Sequence, residues 1–229
     1  MNKPTGICYI VGAMPVEPGL VPSPREGDLV LAADGGYATL TKLGVTPDLV
    51  IGDFDSLGHV PDHPNVHRLP CAKDDTDMGY ALNLAMERGY TRFILLGGLG
   101  GRLDHTVATL QLIVHLSKMG AVGILAGNGQ AATAITGRSF SFPDTMRGYC
   151  SVFSQGGTAR GVTLEGLKYP LENAQLTEDF PLGVSNEFLG VPARVTVKDG
   201  TLLLVWELSS QPEQLRSVLL HHFNTDMNG

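Results

Sequence analysis

The sequence has few cysteines, few basic residues and no long apolar run, and each shortage excludes a class of protein. Three cysteines among 229 residues, Cys8, Cys71 and Cys150, are isolated; this fits neither a disulfide framework nor a metal site, so we expect reduced, buried thiols. Sixteen basic against 23 acidic residues give a net charge of −7. This argues against a nucleic-acid partner, because binding to a phosphate backbone requires concentrated positive charge. No stretch reaches the roughly 18 apolar residues of a membrane span, and the N-terminal run is too short for a signal peptide. We therefore expect a cytoplasmic protein with no membrane partner.

The overall composition, with 43% hydrophobic and 17% charged residues, is typical of a globular protein. The first half alternates short apolar runs with helical segments. The apolar runs, typical of buried parallel strands, cover residues 6–13, 28–34, 48–55, 92–98 and 122–127. The predicted helices cover residues 36–44, 76–89 and 104–120. This alternation predicts an α/β domain over residues 1–128 with a doubly wound, mostly parallel sheet. Ligands of such sheets bind beyond the carboxyl ends of the strands.

The second half, residues 129–229, has a different pattern. Short apolar runs are separated by glycine-containing turn signals, which predicts an all-β sandwich. Residues 193–208 are interpreted as a hairpin that turns at Asp199 and Gly200. One short helix is expected in the tail.

Acidic residues recur where the predicted strands of the first half end. Asp34 ends the second run, and Asp53 and Asp55 end the third. If the backbone there is extended, Asp53 and Asp55 lie on one face, roughly 6–7 Å apart, with Phe54 on the other. Asp77 begins a helix, where it also has a structural interpretation because an acidic side chain complements the helix dipole. Together these carboxylates predict a Mg²⁺ site for a polyphosphate ligand.

A glycine loop follows the fourth apolar run. Residues 97–101 read GGLGG and lead to Arg102, Asp104 and His105 at the start of a helix. Backbone N–H groups and a guanidinium at such a position suit phosphate oxygens. The loop lacks the GK[ST] of a P-loop, so by itself it is a weak signal.

Five segments carry a family resemblance: ADGG (33–36), PDLVIGDFDSL (47–57), KDDTDMGYAL (73–82), GGLGGRLDH (97–105) and GVSNEF (183–188). In this order they resemble the thiamine pyrophosphokinases, and the likeness spans nearly the whole chain. The resemblance implies an α/β catalytic domain that binds ATP and Mg²⁺, followed by a β-sandwich for thiamine binding and dimerisation. It also implies a homodimer that transfers the diphosphate of ATP to thiamine, giving thiamine diphosphate and AMP.

The resemblance also implies roles for particular residues. The catalytic carboxylates are Asp53, Asp55, Asp77 and Asp104, of which the first three hold the metal. The ATP-binding residues are Asp34, Gly35, Gly36, Lys73, Thr76, Gly100, Gly101, Arg102 and His105. The thiamine-binding residues are Ser185, Asn186 and Trp206. Trp206 has two interpretations of equal weight, a cation–π contact with the thiazolium ring or a place in the sandwich core. Either Asp77 or Asp104 is the candidate base.

Two other functions compete with this interpretation. An Asp-x-Asp motif after an apolar strand is also typical of phosphatases that form an aspartyl phosphate. A nucleotide-binding regulatory protein without turnover would suit the β-rich second half. Trapping of a phosphorylated aspartate would support the first alternative, and AMP production from ATP and thiamine would exclude it.

Overall fold

The structure, a computed structural model, describes residues 4–55, 58–70, 76–208 and 214–226. The chain divides into two compact units. The first comprises Met1–Leu112 and Leu125–Asn128, and the second comprises Ile113–Ile124 and Gly129–Gly229. Across the described ranges, the helices are all too short or too polar to cross a membrane.

Five strands of the first unit pair in parallel: β1 (Cys8–Val11), β2 (Leu29–Ala33), β3 (Leu49–Gly52), β4 (Val66–Arg68) and β5 (Arg92–Leu96). Their order is β5-β1-β2-β3-β4. The chain adds strands on one side of β1 up to β4 and then returns to the other side for β5. The side of the sheet on which strands are added therefore changes at the boundary between β1 and β5, although all five strands stay parallel. A sixth strand, β6 (Val122–Gly127), contains the point at which the two units divide.

Three helices follow the predicted segments: α1 (Gly36–Lys42), α2 (Asp77–Glu87) and α3 (Leu103–Lys118). Helix α2 begins where the Thr76 side chain accepts a hydrogen bond from the Gly79 N–H at 3.0 Å, which satisfies one of the free donors of the first turn. Met78, Leu82 and Ala85 recur at helical spacing along α2 and are buried, whereas Met86 on the same stripe is half-buried.

The remaining strands all lie in the second unit: β7 (Gln130–Thr136), β8 (Ser139–Phe142), β9 (Tyr149–Ser154), β10 (Ala159–Glu165), β11 (Leu171–Leu176), β12 (Gly183–Glu187), β13 (Ala193–Thr196) and β14 (Thr201–Glu207). Strands β12-β9-β14-β7 and β11-β10-β13-β8 form two antiparallel groups. The fold thus has a mixed sheet, with parallel and antiparallel pairs, and a second sheet. Helix α4 (Gln214–Asp226) packs against β8, so the second unit is rich in sheet but is not all-β.

The hairpin predicted over residues 193–208 is wrong. Strand β13 pairs with β10 and β8 in one sheet, whereas β14 pairs with β7 and β9 in the other. The physical reason is the burial of β14, where Leu202, Leu203 and Leu204 are at most 8% exposed. A strand buried on both faces takes a central position and uses both of its edges, so none remains for β13.

The cysteines that the structure describes are buried thiols, as expected. Burial raises the pKa of Cys8 well above its usual value and raises that of Cys150 to about 12. Both thiols therefore stay protonated and unreactive. Cys71 lies outside the described residues.

Candidate active site

Three carboxylates converge at the carboxyl ends of neighbouring strands. Asp34 follows β2, Asp53 follows β3 and Asp77 is the first residue of α2. One carboxylate oxygen from each lies within 4.8 Å of the others, and all three residues are half-buried. Because β2 and β3 are adjacent and parallel, their carboxyl ends meet at one edge of the sheet. We call Asp34, Asp53 and Asp77 the carboxylate trio.

The backbone at Asp34 is held in an uncommon conformation. Its φ of 47° lies in the left-handed region, and its N–H donates to the Ile51 carbonyl at 2.7 Å. Two residues on, a Cβ on Gly36 would collide with the Val11 carbonyl oxygen, so only glycine lets α1 begin this close to β1. Gly36 thus permits a close approach of the α1 and β1 backbones.

The geometry expected for Asp53 and Asp55 is wrong. Strand β3 ends at Gly52, and Phe54 has a φ of 64°, so the backbone is not extended and the two carboxylates do not share a strand face. Phe54 is 3% exposed, which indicates that burial of its ring fixes the turn. Asp55 is exposed, and its N–H donates to Asp53 Oδ1 at 3.2 Å. Within the described residues, the third position of the trio is taken by Asp34, a residue that the resemblance assigned to ATP.

A cavity of about 350 Å³ lies beyond β1 and β5, and its size is typical of a small-molecule site. Its lining residues are Gly12, Ala13, Met14, Ala33, Asp34, Thr76, Asp77, Met78, Gly97, Gly98, Arg102, His105, Ala108 and Thr109. The structure thus brings together five of the predicted site residues: Asp34, Thr76, Asp77, Arg102 and His105.

Other predicted ATP-site residues are not among the described lining residues. Gly35 and Gly36 lie at the start of α1, and Gly101 contacts the lining residue Met14 without lining the cavity itself. Gly100 has a φ of 86° and is likewise not part of the described lining. Lys73 falls outside the described residues.

Asp104 is not one of the three carboxylates of the trio and forms an ion pair with Arg102. Arg102 Nε donates to one carboxylate oxygen of Asp104 at 3.1 Å and Nη2 donates to the other at 2.5 Å. Both side chains are exposed, at 73% and 62%. The Arg102 hydrogen bond, aided by the His105 N–H, lowers the pKa of Asp104 below its usual value. Such a carboxylate is a weak base.

Replacing Arg102 by glutamine is expected to raise the pKa of Asp104 towards its ordinary value, because the main hydrogen bond to the charged form is lost. A pH titration of the Asp104 carboxyl ¹³C signal measures this. The ion pair is intact above the ordinary pKa of an aspartate, and its contribution is lost as the pH falls through the lowered value. An unchanged titration in the Arg102 variant would contradict the pairing.

On the second unit, the structure gives Asn186 a positioning role. The Asn186 side chain is buried, accepts from the Tyr169 N–H at 2.9 Å and donates to the Tyr169 carbonyl at 2.7 Å. The neighbouring Ser185 is exposed, with a φ of 56°, and its N–H donates to Ser151 Oγ. Tyr169 is 57% exposed, and Lys168 Nζ lies 5.5 Å from the centroid of its ring. Sequence reasoning missed Tyr169, because only the folded chain shows that Asn186 holds it.

Trp206 occupies the position that the core alternative predicts. It is 1% exposed, and its ring centroid lies 5.3 Å from that of Phe142 and 6.4 Å from that of Phe140. These separations are typical of packed aromatic pairs. The structure therefore favours the core interpretation over direct contact with a ligand.

Comparisons with known proteins agree with this arrangement. The family model described as "Thiamin pyrophosphokinase, catalytic domain" matches residues 25–122, and "Thiamin pyrophosphokinase, vitamin B1 binding domain" matches residues 139–202. A thiamine pyrophosphokinase of Bacillus subtilis (strain 168) is 27% identical over 195 residues, which cover 82% of this chain and 91% of the relative.

Solved structures show the same likeness. The crystal structure of a Bacillus subtilis thiamine pyrophosphokinase superposes with a TM-score of 0.79 at 25% identity, over 89% of this chain and 99% of that one. A Geobacillus thermodenitrificans thiamin pyrophosphokinase gives 0.77 at 28% identity, over 89% and 98%. The matches support neither the aspartyl-phosphate phosphatase nor the regulatory protein without turnover. They confirm the resemblance: with both domain models matched in order along it, this chain belongs to the thiamine pyrophosphokinase family.

Proposed function

We infer that this chain is a thiamine diphosphokinase, which transfers the diphosphate of ATP to the thiamine hydroxyl and releases thiamine diphosphate and AMP. The observation that carries this inference is the convergence of three carboxylates beside a ligand-sized cavity in a member of this family. The cavity also contains a guanidinium and a helix start, the groups that bind phosphate oxygens.

The carboxylate trio has the donor chemistry that Mg²⁺ requires. Hard oxygen donors from Asp34, Asp53 and Asp77 lie close enough to bind one ion, and carboxylate oxygens are ligands that Mg²⁺ prefers. A bound Mg²⁺ would neutralise the charge on the polyphosphate oxygens and hold them for displacement at phosphorus. We propose these three residues as the metal ligands, and the role predicted for Asp55 remains a prediction.

The residues of the chain then hold the reactants in position. The hydroxyl oxygen of thiamine forms a bond to the β-phosphorus of ATP, and the bond from that phosphorus to the bridging oxygen of AMP breaks. Arg102 donates to phosphate oxygens, and Thr76 at the start of α2 lies beside them. The hydroxyl proton must pass to a base. Asp77 and Asp104 both remain predicted candidates for this base.

We also propose the finer architecture that the sequence predicts. The reversal of strand order between β1 and β5 supports a doubly wound arrangement in the first unit. We propose residues 1–128 as the domain that binds ATP and Mg²⁺, and residues 129–229 as the domain for thiamine binding and dimerisation. The second matched family model, over residues 139–202, supports thiamine binding by the second of these domains.

We propose that Tyr169 is the aromatic surface on which thiamine stacks. The Asn186 side chain fixes the backbone of Tyr169 through hydrogen bonds to its N–H and to its carbonyl. Ser185, which precedes Asn186 in the chain, is exposed and adds a hydroxyl. Aromatic faces attract cationic rings such as the thiazolium of thiamine. Tyr169→Ala is therefore expected to raise the KM for thiamine about tenfold and to leave the KM for ATP within about twofold. Steady-state kinetics measure both values. Tyr169→Phe keeps the ring and serves as the matched control; equal KM values for thiamine in the two variants would contradict the proposal.

We propose that the protein forms a homodimer through its second unit. Large apolar side chains are unusually exposed around β12, with exposed fractions between 46% and 64% at Phe180, Leu182, Val184, Leu189 and Val191. Exposed apolar groups in such numbers are typical of association surfaces. Light scattering coupled to gel filtration measures the mass, and a monomer at micromolar concentration would contradict this proposal.

One assay tests the proposed function itself. AMP is measured from ATP and Mg²⁺ with and without thiamine. We expect AMP only when thiamine is present, together with an equal amount of thiamine diphosphate. ADP as the product, or AMP release that does not depend on thiamine, would overturn the inference.

A further inference from the structure

We propose that Phe54 is a positioning residue for the carboxylate trio: its buried ring holds the turn that directs Asp53 towards the other two carboxylates, and thereby sets the affinity of the site for Mg²⁺. This rests on the metal site of the proposed function. Phe54 is not itself a ligand, because a hydrocarbon ring offers no donor atom to the ion. It acts through Asp53, the residue that precedes it in the chain.

The sheet holds strand β3 as far as Gly52. On the β2 side, the Asp34 N–H donates to the Ile51 carbonyl at 2.7 Å. On the β4 side, the Leu69 N–H donates to the Gly52 carbonyl at 2.9 Å. Asp53 follows directly after this fixed strand end. The direction of its side chain therefore depends on the turn that begins there.

That turn has an uncommon backbone. Phe54 has a φ of 64°, a left-handed conformation that is unfavourable for a bulky side chain. Next to it, the Asp55 N–H donates to Asp53 Oδ1 at 3.2 Å, which restrains a carboxylate of the trio. The Phe54 carbonyl accepts from the Gly58 N–H at 3.0 Å. A disfavoured backbone of this kind persists only where its surroundings hold it.

The ring of Phe54 supplies that restraint. The residue is 3% exposed, and burial of an aromatic ring offsets the cost of the backbone conformation. A Cβ on Gly52 would lie 3.2 Å from Phe54 Cε1 and 3.0 Å from the Asp34 Cα. The ring, the end of β3 and the backbone of a second trio residue therefore meet at one point. Without the ring, the turn that carries Asp53 loses the packing that holds it beside Asp34.

Restraint of the carboxylates matters most for a small ion. Mg²⁺ requires near-ideal octahedral geometry with bonds of about 2.0–2.1 Å, whereas Ca²⁺ accepts longer bonds and less regular geometry. A loosened trio therefore loses more affinity for Mg²⁺ than for Ca²⁺. A general loss of stability does not distinguish between the two ions.

Competition for bound Mn²⁺ tests the proposal without turnover. The electron paramagnetic resonance signal of free Mn²⁺ measures its binding to the full-length protein, with Mg²⁺ and Ca²⁺ as competitors. Phe54→Ala is expected to weaken Mg²⁺ binding about tenfold, as loss of a group that orients a metal ligand commonly does, and Ca²⁺ binding only about threefold. Phe54→Leu keeps apolar bulk and should recover most of the Mg²⁺ affinity.

Two further variants separate positioning from stability. Phe93→Leu changes a fully buried phenylalanine that pairs with Cys8 at the amino end of the sheet. It should lower the melting temperature but leave Mg²⁺ affinity within about twofold. Gly52→Ala keeps Phe54 and crowds its ring instead, and should weaken Mg²⁺ binding at least about threefold. Thermal unfolding confirms that each variant folds; if Phe54→Ala does not, Gly52→Ala decides, and wild-type Mg²⁺ affinity in it overturns the inference.

The outcomes also separate this inference from the proposed function. If the wild-type protein binds Mn²⁺ but makes no AMP from ATP and thiamine, the proposed function fails, and the binding data still decide the role of Phe54. If AMP forms but Phe54→Ala and Phe93→Leu bind Mg²⁺ equally well, the role of Phe54 is overturned and the function stands. Equal losses of Mg²⁺ and Ca²⁺ in Phe54→Ala overturn it too, as does a wild-type protein that binds no Mn²⁺.

Discussion

Replacing Asp53 or Asp77 by asparagine is expected to lower thiamine-dependent AMP formation by about 10²–10³-fold, equivalent to about 3–4 kcal/mol of transition-state stabilisation. Asparagine keeps the shape of the side chain but removes the charge that a divalent cation requires. Each residue contributes one of three oxygens that lie within 4.8 Å of one another, so the loss of either weakens the whole site. Initial rates at saturating ATP and thiamine over a range of Mg²⁺ concentrations measure the effect.

Asp55→Asn is the matched control, because Asp55 is two residues away, exposed and outside the carboxylate trio. If the carboxylate trio alone binds the metal, this variant retains activity within about fivefold of the wild-type protein. A loss as large as that of Asp53→Asn would confirm the metal role that the sequence resemblance implies for Asp55. Near-normal activity of Asp53→Asn would remove Asp53 from the site.

The same variants have a signature that does not depend on turnover. Mg²⁺ bound by the carboxylate trio is expected to raise the melting temperature of the protein. Adding Mg²⁺ should then stabilise the wild-type protein more than Asp53→Asn or Asp77→Asn, because a ligand stabilises the folded state in proportion to its binding. Equal stabilisation of all three proteins would contradict metal binding by the trio.

Trp206→Ala is expected to destabilise the second unit by about 3–5 kcal/mol, because it removes a fully buried aromatic side chain and leaves a cavity. The ring also gives up its packing against Phe140 and Phe142. Trp206→Phe keeps much of the buried area and should cost less. Urea unfolding followed by circular dichroism measures the free energy of unfolding in each variant.

The kinetics of the phenylalanine variant distinguish the two interpretations of Trp206. A core residue predicts that Trp206→Phe keeps the KM for thiamine within about twofold. A stacking contact predicts a raised KM for thiamine with little change in the free energy of unfolding. Because Trp206 is the only tryptophan, wild-type emission reports on this residue alone, and we expect thiamine to leave that emission unchanged.

Local patterns were sufficient to predict most elements of the first unit. The strands β1, β2, β5 and β6 and the helix α2 lie within a few residues of their predicted bounds, because burial in a parallel sheet demands continuous apolar runs and helix packing demands a stripe of period 3.6. The short strand β4 was not predicted, since three residues carry too little pattern. The ordered motifs were also sufficient to identify the family, which the comparisons confirm.

The sequence by itself therefore determined the strand–helix alternation, the family and the residue types of the site, since each depends on neighbours along the chain. Only the tertiary structure decided which carboxylates meet. The backbone turns at Phe54 and leaves Asp55 exposed, and the pairing of β2 with β3 brings Asp34 to the carboxylate trio. It also decided that β14 is a central strand, that Trp206 packs in the core and that Asn186 holds Tyr169. Each of these depends on partners distant in sequence, and residue periodicity carries no information about them.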